Sequence, residues 1–152
     1  LVFILSATLF LSCDKKIECN YNDCGLVAPA AEIQAVKDYL TANNITATQH
    51  CSGLFYKIES QGGGEYPDGC STVSAAYIGK LTNGSIFDQS ATPIRFGLQQ
   101  VITGWTNGVP LIKEGGRIIL YVPPTLGYGS RNAGSIPPNS ILIFDITLAD
   151  VE

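Results

Sequence analysis

Two polar side chains stand out against an otherwise apolar and aromatic background. Asp88 directly follows Phe87, and Tyr128 lies between Gly127 and Gly129. A carboxylate at the end of an apolar run is costly to bury without a partner. A large aromatic in a glycine-flanked loop is better suited to meet a ligand than to fill a core. The only tryptophan closes the stretch Val101-Ile102-Thr103-Gly104-Trp105, and Tyr77, Phe96, Ile136 and Phe144 are the other large side chains of interest. Each also has a plainer reading. A lone tryptophan is usually core filling, and Phe96 and Phe144 alternate as packing residues do. Val101 and Ile102 read as strand residues, and Tyr77 could hydrogen-bond within a sheet. Chemistry that depends on imidazole is poorly supplied. His50 is the only histidine, so a His general base or a multi-His metal centre has almost no material.

Five cysteines are the remaining reactive groups. The first of them, Cys13, ends the apolar run Leu1 to Ser12, which falls short of the roughly 20 residues that span a bilayer. The run has the length of a signal-peptide core without its initiator or basic leader. Residues 1–12 therefore read as a truncated signal peptide. The Phe10-Leu11-Ser12-Cys13 junction resembles a bacterial lipobox, in which the cysteine carries the lipid. The expectation is a lipoprotein of the bacterial cell envelope, anchored to a membrane at Cys13 and facing the periplasm or cell surface. An ordinary cleavable signal or a buried strand is the alternative. Cys19, Cys24, Cys51 and Cys70 then form an even set, which in an exported chain implies two disulfides with three connectivities open. Proximity along the chain favours 19–24 and 51–70. A zinc site from the four ranks below this, because no CxxC pair is present.

The positioning elements follow from composition and pattern. With 152 residues, 45% hydrophobic and 14% charged, the chain can bury a sizeable core. A net charge of −4 without a basic run excludes a nucleic-acid surface. Residues 13–50 read as an extension and residues 51–152 as the main domain. In the extension, Pro29 to Asn43 has Ile33, Val36 and Leu40 on one helical face. In the domain, strands are expected over Gly53 to Glu59, Ser71 to Leu81, from Ile86 onward, Arg117 to Val122 and Ile141 to Leu148. Asn83-Gly84 marks a hairpin. A short helix should begin near Trp105 and reach about Leu111, limited by Pro110. The loop holding Tyr128 and Ile136-Pro137-Pro138, about a dozen residues long, is long enough to suggest function. The Gly62-Gly63-Gly64 run lacks the Gly-Lys-Ser/Thr of a phosphate loop.

Six segments in order resemble the FKBP-type peptidyl-prolyl cis-trans isomerases. They are Ala76 to Gly79, Gly84 to Asp88, Val101 to Trp105, Leu126 to Gly129, Ile136 to Pro138 and Leu142 to Asp145. The resemblance implies an α+β fold, a five-stranded twisted antiparallel sheet wrapped around one short helix, here with a short N-terminal helical extension. It implies isomerisation of X-Pro bonds in unfolded or exported polypeptides, with no cofactor and no metal. A non-catalytic proline-binding chaperone is the alternative. It also implies a pocket with Trp105 as its floor, Tyr77, Phe87, Phe96 and Phe144 as walls, and Val101, Ile102 and Ile136 at the rim. Asp88 and Tyr128 would be its main polar groups, with the Ile102 N–H holding a substrate carbonyl. Macrolide inhibitors are a further implied ligand class. The chain departs from the family's pattern at Ile94, Gln100 and Asn132 and in a short loop at Ala91-Thr92-Pro93. Those changes bear on substrate preference and macrolide affinity.

Overall fold

Alternation decides which strand face meets the core, and two strands show it most clearly. The computed structural model describes residues 18–152; the apolar leader and Cys13 lie outside the described residues. Strands β1 (Thr48–Gln49), β2 (Phe55–Ser60), β3 (Thr72–Leu81), β4 (Ile86–Gly97), β5 (Arg117–Val122) and β6 (Leu142–Val151) form one antiparallel sheet. Their order is β1-β2-β5-β6-β3-β4. The inward side chains are Val73, Ala75 and Tyr77 on β3, Ile118, Leu120 and Val122 on β5, and Leu142, Phe144, Ile146 and Leu148 on β6, all buried. The five long strands match the expectation. The sixth is the two-residue β1, which pairs with β2 at one edge and is too short to leave a periodic signal. Register shifts at Ala75/Tyr77 and Gly79/Lys80 on the β3–β4 ladder are where such a sheet gains curvature.

Across the concave face lies a six-residue helix, α2 (Thr103–Gly108), followed by a 3₁₀ turn at Val109–Leu111. Pro110 lacks the N–H that would continue the helix, so the expected reach to about Leu111 is met in two forms. Two glycines set the helix against the sheet. A Cβ at Gly104 would stand 2.6 Å from Val122, and one at Gly108 would stand 2.6 Å from Leu120. Side chains there would force α2 off β5. The buried Thr106 hydroxyl donates to Leu98 O at 2.6 Å, tying α2 to the turn before it.

The opposite face of the sheet is covered by α1 (Ala30–Ala42). Val36 and Leu40, on the predicted stripe, pack with Phe55 and Tyr121 into a second, smaller core. Phe55 and Tyr121 are direct cross-strand partners, so one pair of aromatics forms the floor for the helix. Glu32 in the first turn accepts from Thr125 N and Thr125 Oγ1, both at 2.8 Å. The extension is thereby fastened to the domain at both its polar and apolar surfaces.

Connectivity of the cysteines differs from the favoured pairing. Cys19 bonds Cys70 and Cys24 bonds Cys51, with Cα separations of 5.7 and 5.6 Å. Both bridges join the extension to the domain; neither closes a local loop. Tyr21 lies over Gly69, bringing Cys19 to Cys70, and Ala28 N donates to Ser52 O at 2.9 Å, bringing the segment past Cys51. Spacing along the chain carried no information about this return path. Digestion without reductant should therefore release linked peptides containing Cys19 with Cys70 and Cys24 with Cys51. With sequence separations of 51 and 27, each bridge should contribute about 3–4 kcal/mol on the chain-entropy description. Peptides linking 19–24 would contradict the structure.

Candidate functional site

Trp105 is carried by α2, whose first turn closes through Trp105 N to Ile102 O at 2.9 Å. Its indole is 4% exposed and is met edge-on by three rings. Tyr77 lies 5.2 Å away at 87°, Phe96 5.1 Å at 67° and Phe144 5.5 Å at 89°, centroid to centroid. Phe87 continues the wall by meeting Phe144 at 5.4 Å and 85°. These edge-to-face contacts suit ring quadrupoles and hold each ring in one orientation. Gly79, opposite both Asp88 and Phe144 in the ladders, makes room for them. A Cβ there would lie 2.7 Å from the Phe87 ring and 3.0 Å from Phe144.

Above this floor opens a cavity of about 390 Å³ lined by Tyr77, Asp88, Phe96, Gln100, Val101, Ile102, Trp105, Gly127, Tyr128, Arg131 and Phe144. A second hollow of about 380 Å³ shares Asp88, Tyr128 and Phe144 with it and adds Phe87 and Ile136. The ten residues singled out for a pocket thus line two adjoining hollows. Ile136 is held by a β-bridge to Ala133, closed by bonds of 3.1 and 3.0 Å. Asn139 N reaches Gly129 O at 2.8 Å, folding the long loop back beside Tyr128. Ile94 is 41% exposed and is absent from both linings.

The polar groups sit on the rim. Asp88 is exposed, and Tyr128 is 39% exposed. The burial cost argued for Asp88 from sequence is therefore not incurred there. It falls on Tyr77, which is 9% exposed and donates its hydroxyl to Asp88 Oδ2 at 2.6 Å. Burial, and then the hydrogen bond and negative charge of Asp88, push the Tyr77 phenol up to about 12. Among the larger polar side chains lining the first cavity, Gln100 and Arg131 escaped the sequence reading as site members. Gln100 stood out only as a departure from the family, and Arg131 was not singled out. A cation three residues beyond Tyr128 was the only available signal.

Comparison with known proteins agrees with this geometry. The family model described as FKBP-type peptidyl-prolyl cis-trans isomerase matches residues 63–149. A probable FKBP-type peptidyl-prolyl cis-trans isomerase of Haemophilus influenzae is 48% identical over 118 residues, covering 75% of this chain and 48% of that protein. FkpA of Escherichia coli is 46% identical over 104 residues, covering 66% of this chain and 38% of FkpA. The chain thus spans less than half the length of these relatives. The crystal structure of Escherichia coli FkpA superposes with a TM-score of 0.72 at 40% identity, covering 81% of this chain and 61% of that one. A Pseudomonas syringae peptidyl-prolyl cis-trans isomerase gives 0.71 at 32% identity, covering 84% of this chain and 99% of that one.

The raised Tyr77 pKa has a defined signature. Its folded value of about 12 lies above the ordinary 10.0, so its contribution to stability is complete below pH 10 and is lost as pH rises towards 12. Ultraviolet titration should show a phenol ionising near 12 that disappears in Tyr77→Phe. Retention of that step in the variant would assign it elsewhere.

Proposed function

The chain belongs to the FKBP-type peptidyl-prolyl cis-trans isomerase family, and on that premise we propose that it isomerises X-Pro bonds in polypeptides of the bacterial cell envelope. The observation that carries this reading is the tryptophan floor boxed by Tyr77, Phe96 and Phe144 beneath an open cavity. Resonance gives the bond a barrier of roughly 18–20 kcal/mol, and unassisted exchange takes about 10–100 s. Millisecond turnover needs about 10⁴-fold, or roughly 5–6 kcal/mol. No bond to the protein and no proton transfer is required for that.

In this reading the proline ring rests on Trp105 between the aromatic walls. Twisting the imide removes its resonance charge separation, so water favours the planar ground state, and a dry pocket favours the twisted form. The Ile102 N–H and the Tyr128 phenol anchor flanking carbonyls and determine which part rotates. Tyr77 stays neutral and holds the Asp88 carboxylate at the rim. Phe87, Val101 and Ile136 complete the walls and exclude solvent. Macrolides, being apolar ring ligands, would compete for the same floor.

The two disulfides support an oxidising compartment. The apolar run ending at Cys13 supports lipid attachment there and a place at the membrane surface. Residues 13–50 then serve as the connection between anchor and isomerase domain.

The test is a protease-coupled assay on an X-Pro peptide. Trp105→Ala and Phe87→Ala should each lower kcat/KM strongly. Tyr128→Phe keeps the ring and should cost about 1 kcal/mol, the worth of one hydrogen bond. The profile should be nearly flat from about pH 6 to 8, unlike the bell of acid–base chemistry, and His50→Ala should leave it unchanged. Peptide binding with no change of rate would instead make the protein a proline-binding chaperone.

A further inference from the structure

Among residues that line neither hollow, a second group of reactive side chains meets where the extension crosses the turn before β2. Asp23, Cys24, His50 and Cys51 each offer one ligating atom, all within 4.8 Å of one another. Individual separations are narrower. Cys51 Sγ lies 3.6 and 3.7 Å from the two ring nitrogens of His50. His50 Nε2 is 3.4 Å from Asp23 Oδ2, and Cys24 Sγ is 3.4 Å from Asp23 Oδ1. In tetrahedral zinc centres, with bonds of about 2.0–2.3 Å, neighbouring ligand atoms stand about 3.3–3.8 Å apart. With His50 Nε2 and Asp23 Oδ2 as ligands, two edges of that tetrahedron, to Cys51 and to Asp23, already have this length, and Cys24 touches the other oxygen of the same carboxylate. The Cys24–Cys51 edge is a disulfide, and its Cα atoms are 5.6 Å apart, so it can lengthen by side-chain rotation.

We propose that reducing this disulfide creates a zinc site formed by Cys24, Cys51, His50 and Asp23. A dithiol reductant delivers two electrons and two protons, closing its own disulfide. The Cys24–Cys51 bond breaks and two thiols form. Zinc takes both sulfurs as thiolates, releases those two protons to water and keeps its oxidation state. Two thiolates and a carboxylate exceed the metal charge by one, which suits a locus at the surface. His50 binds through Nε2. With the disulfide closed, Nδ1 accepts from Ser52 N at 3.3 Å. Zinc on Nε2 places the ring proton on Nδ1, which then donates to the buried Ser52 hydroxyl 2.9 Å away, and that contact fixes ring orientation as second-layer partners of zinc histidines do. The His50 backbone is set by N to Leu54 O at 2.8 Å and by Gly53 N to its carbonyl at 2.9 Å. The comparable meeting of Cys19, Asp68 and Cys70 supplies three ligands only. Oxidised, the locus is a crosslink; reduced, it is a metal clip between the same two segments.

Cobalt(II) titration of the whole chain tests this, before and after reduction by a dithiol removed under argon. The reduced chain should bind one equivalent with tetrahedral d–d bands and thiolate charge-transfer bands, and zinc should displace it. The oxidised chain should show none. His50→Ala and Ser52→Ala should each weaken binding at least about 10-fold, whereas the Cys19→Ser/Cys70→Ser double variant should keep the spectrum. As a second readout, zinc should raise the thermal midpoint of the reduced chain and leave that of the oxidised chain unchanged. Absence of thiolate bands, equal affinity in His50→Ala, dependence on Cys19 and Cys70, or an unmoved midpoint in the reduced chain would each overturn the proposal.

Discussion

The close approach of α2 to β5 is the constraint on which the rest of the molecule depends. A helix of six residues cannot hold its shape unaided, because nucleation is unfavourable and few bonds follow it. Packing must therefore fix it. Gly104 and Gly108 allow its backbone to lie directly on Val122 and Leu120. Only at that depth does the Trp105 ring come within 5.1–5.5 Å of Tyr77, Phe96 and Phe144. Each such contact contributes about 0.5–1.5 kcal/mol beyond its buried area. The aromatic box is thus a product of helix seating, and the cavity above it is what the box leaves open.

Polar groups are divided between floor and rim by the same geometry. Tyr77 comes from the buried face of β3, whereas Asp88 comes from β4, the outer strand of the sheet. Their 2.6 Å hydrogen bond crosses from the dry interior to the solvated edge. A buried phenol finds its partner without bringing a charge into the core, which would be far more costly. The carboxylate keeps its remaining acceptor capacity at the cavity mouth.

Much of this was legible in the sequence, for a physical reason. Strands with one buried face carry a period-two pattern, so β6 and its inward residues could be read directly, whereas β5, covered on both faces, shows only an apolar run. The α1 stripe of Ile33, Val36 and Leu40 was equally plain, although nothing in it said which surface it would cover. That surface is the Phe55–Tyr121 pair on the outer face, one residue out of phase with the inward set. Edge strand β1 was too short to show periodicity. Arg131 reaches the cavity through loop folding, which depends on bonds such as Asn139 N to Gly129 O and leaves no local pattern. The resemblance to a family supplied residue roles that alternation alone could not separate from packing.

Cysteine pairing shows the same limit, and what lies behind it connects the extension to the pocket floor. Cys19 and Cys24 do not pair with each other; the segment that carries them is bonded to the domain at Cys70 and Cys51. Between those bridges, the Tyr21 hydroxyl donates to Asn107 Oδ1 at 2.6 Å, and Asn107 is a buried residue of α2, two positions beyond Trp105. The helix is therefore held from two sides: by the sheet beneath Gly104 and Gly108, and by the stapled segment at Asn107. Position along the chain would make the extension an appendage. Its contacts make it part of the frame that fixes the helix carrying the tryptophan.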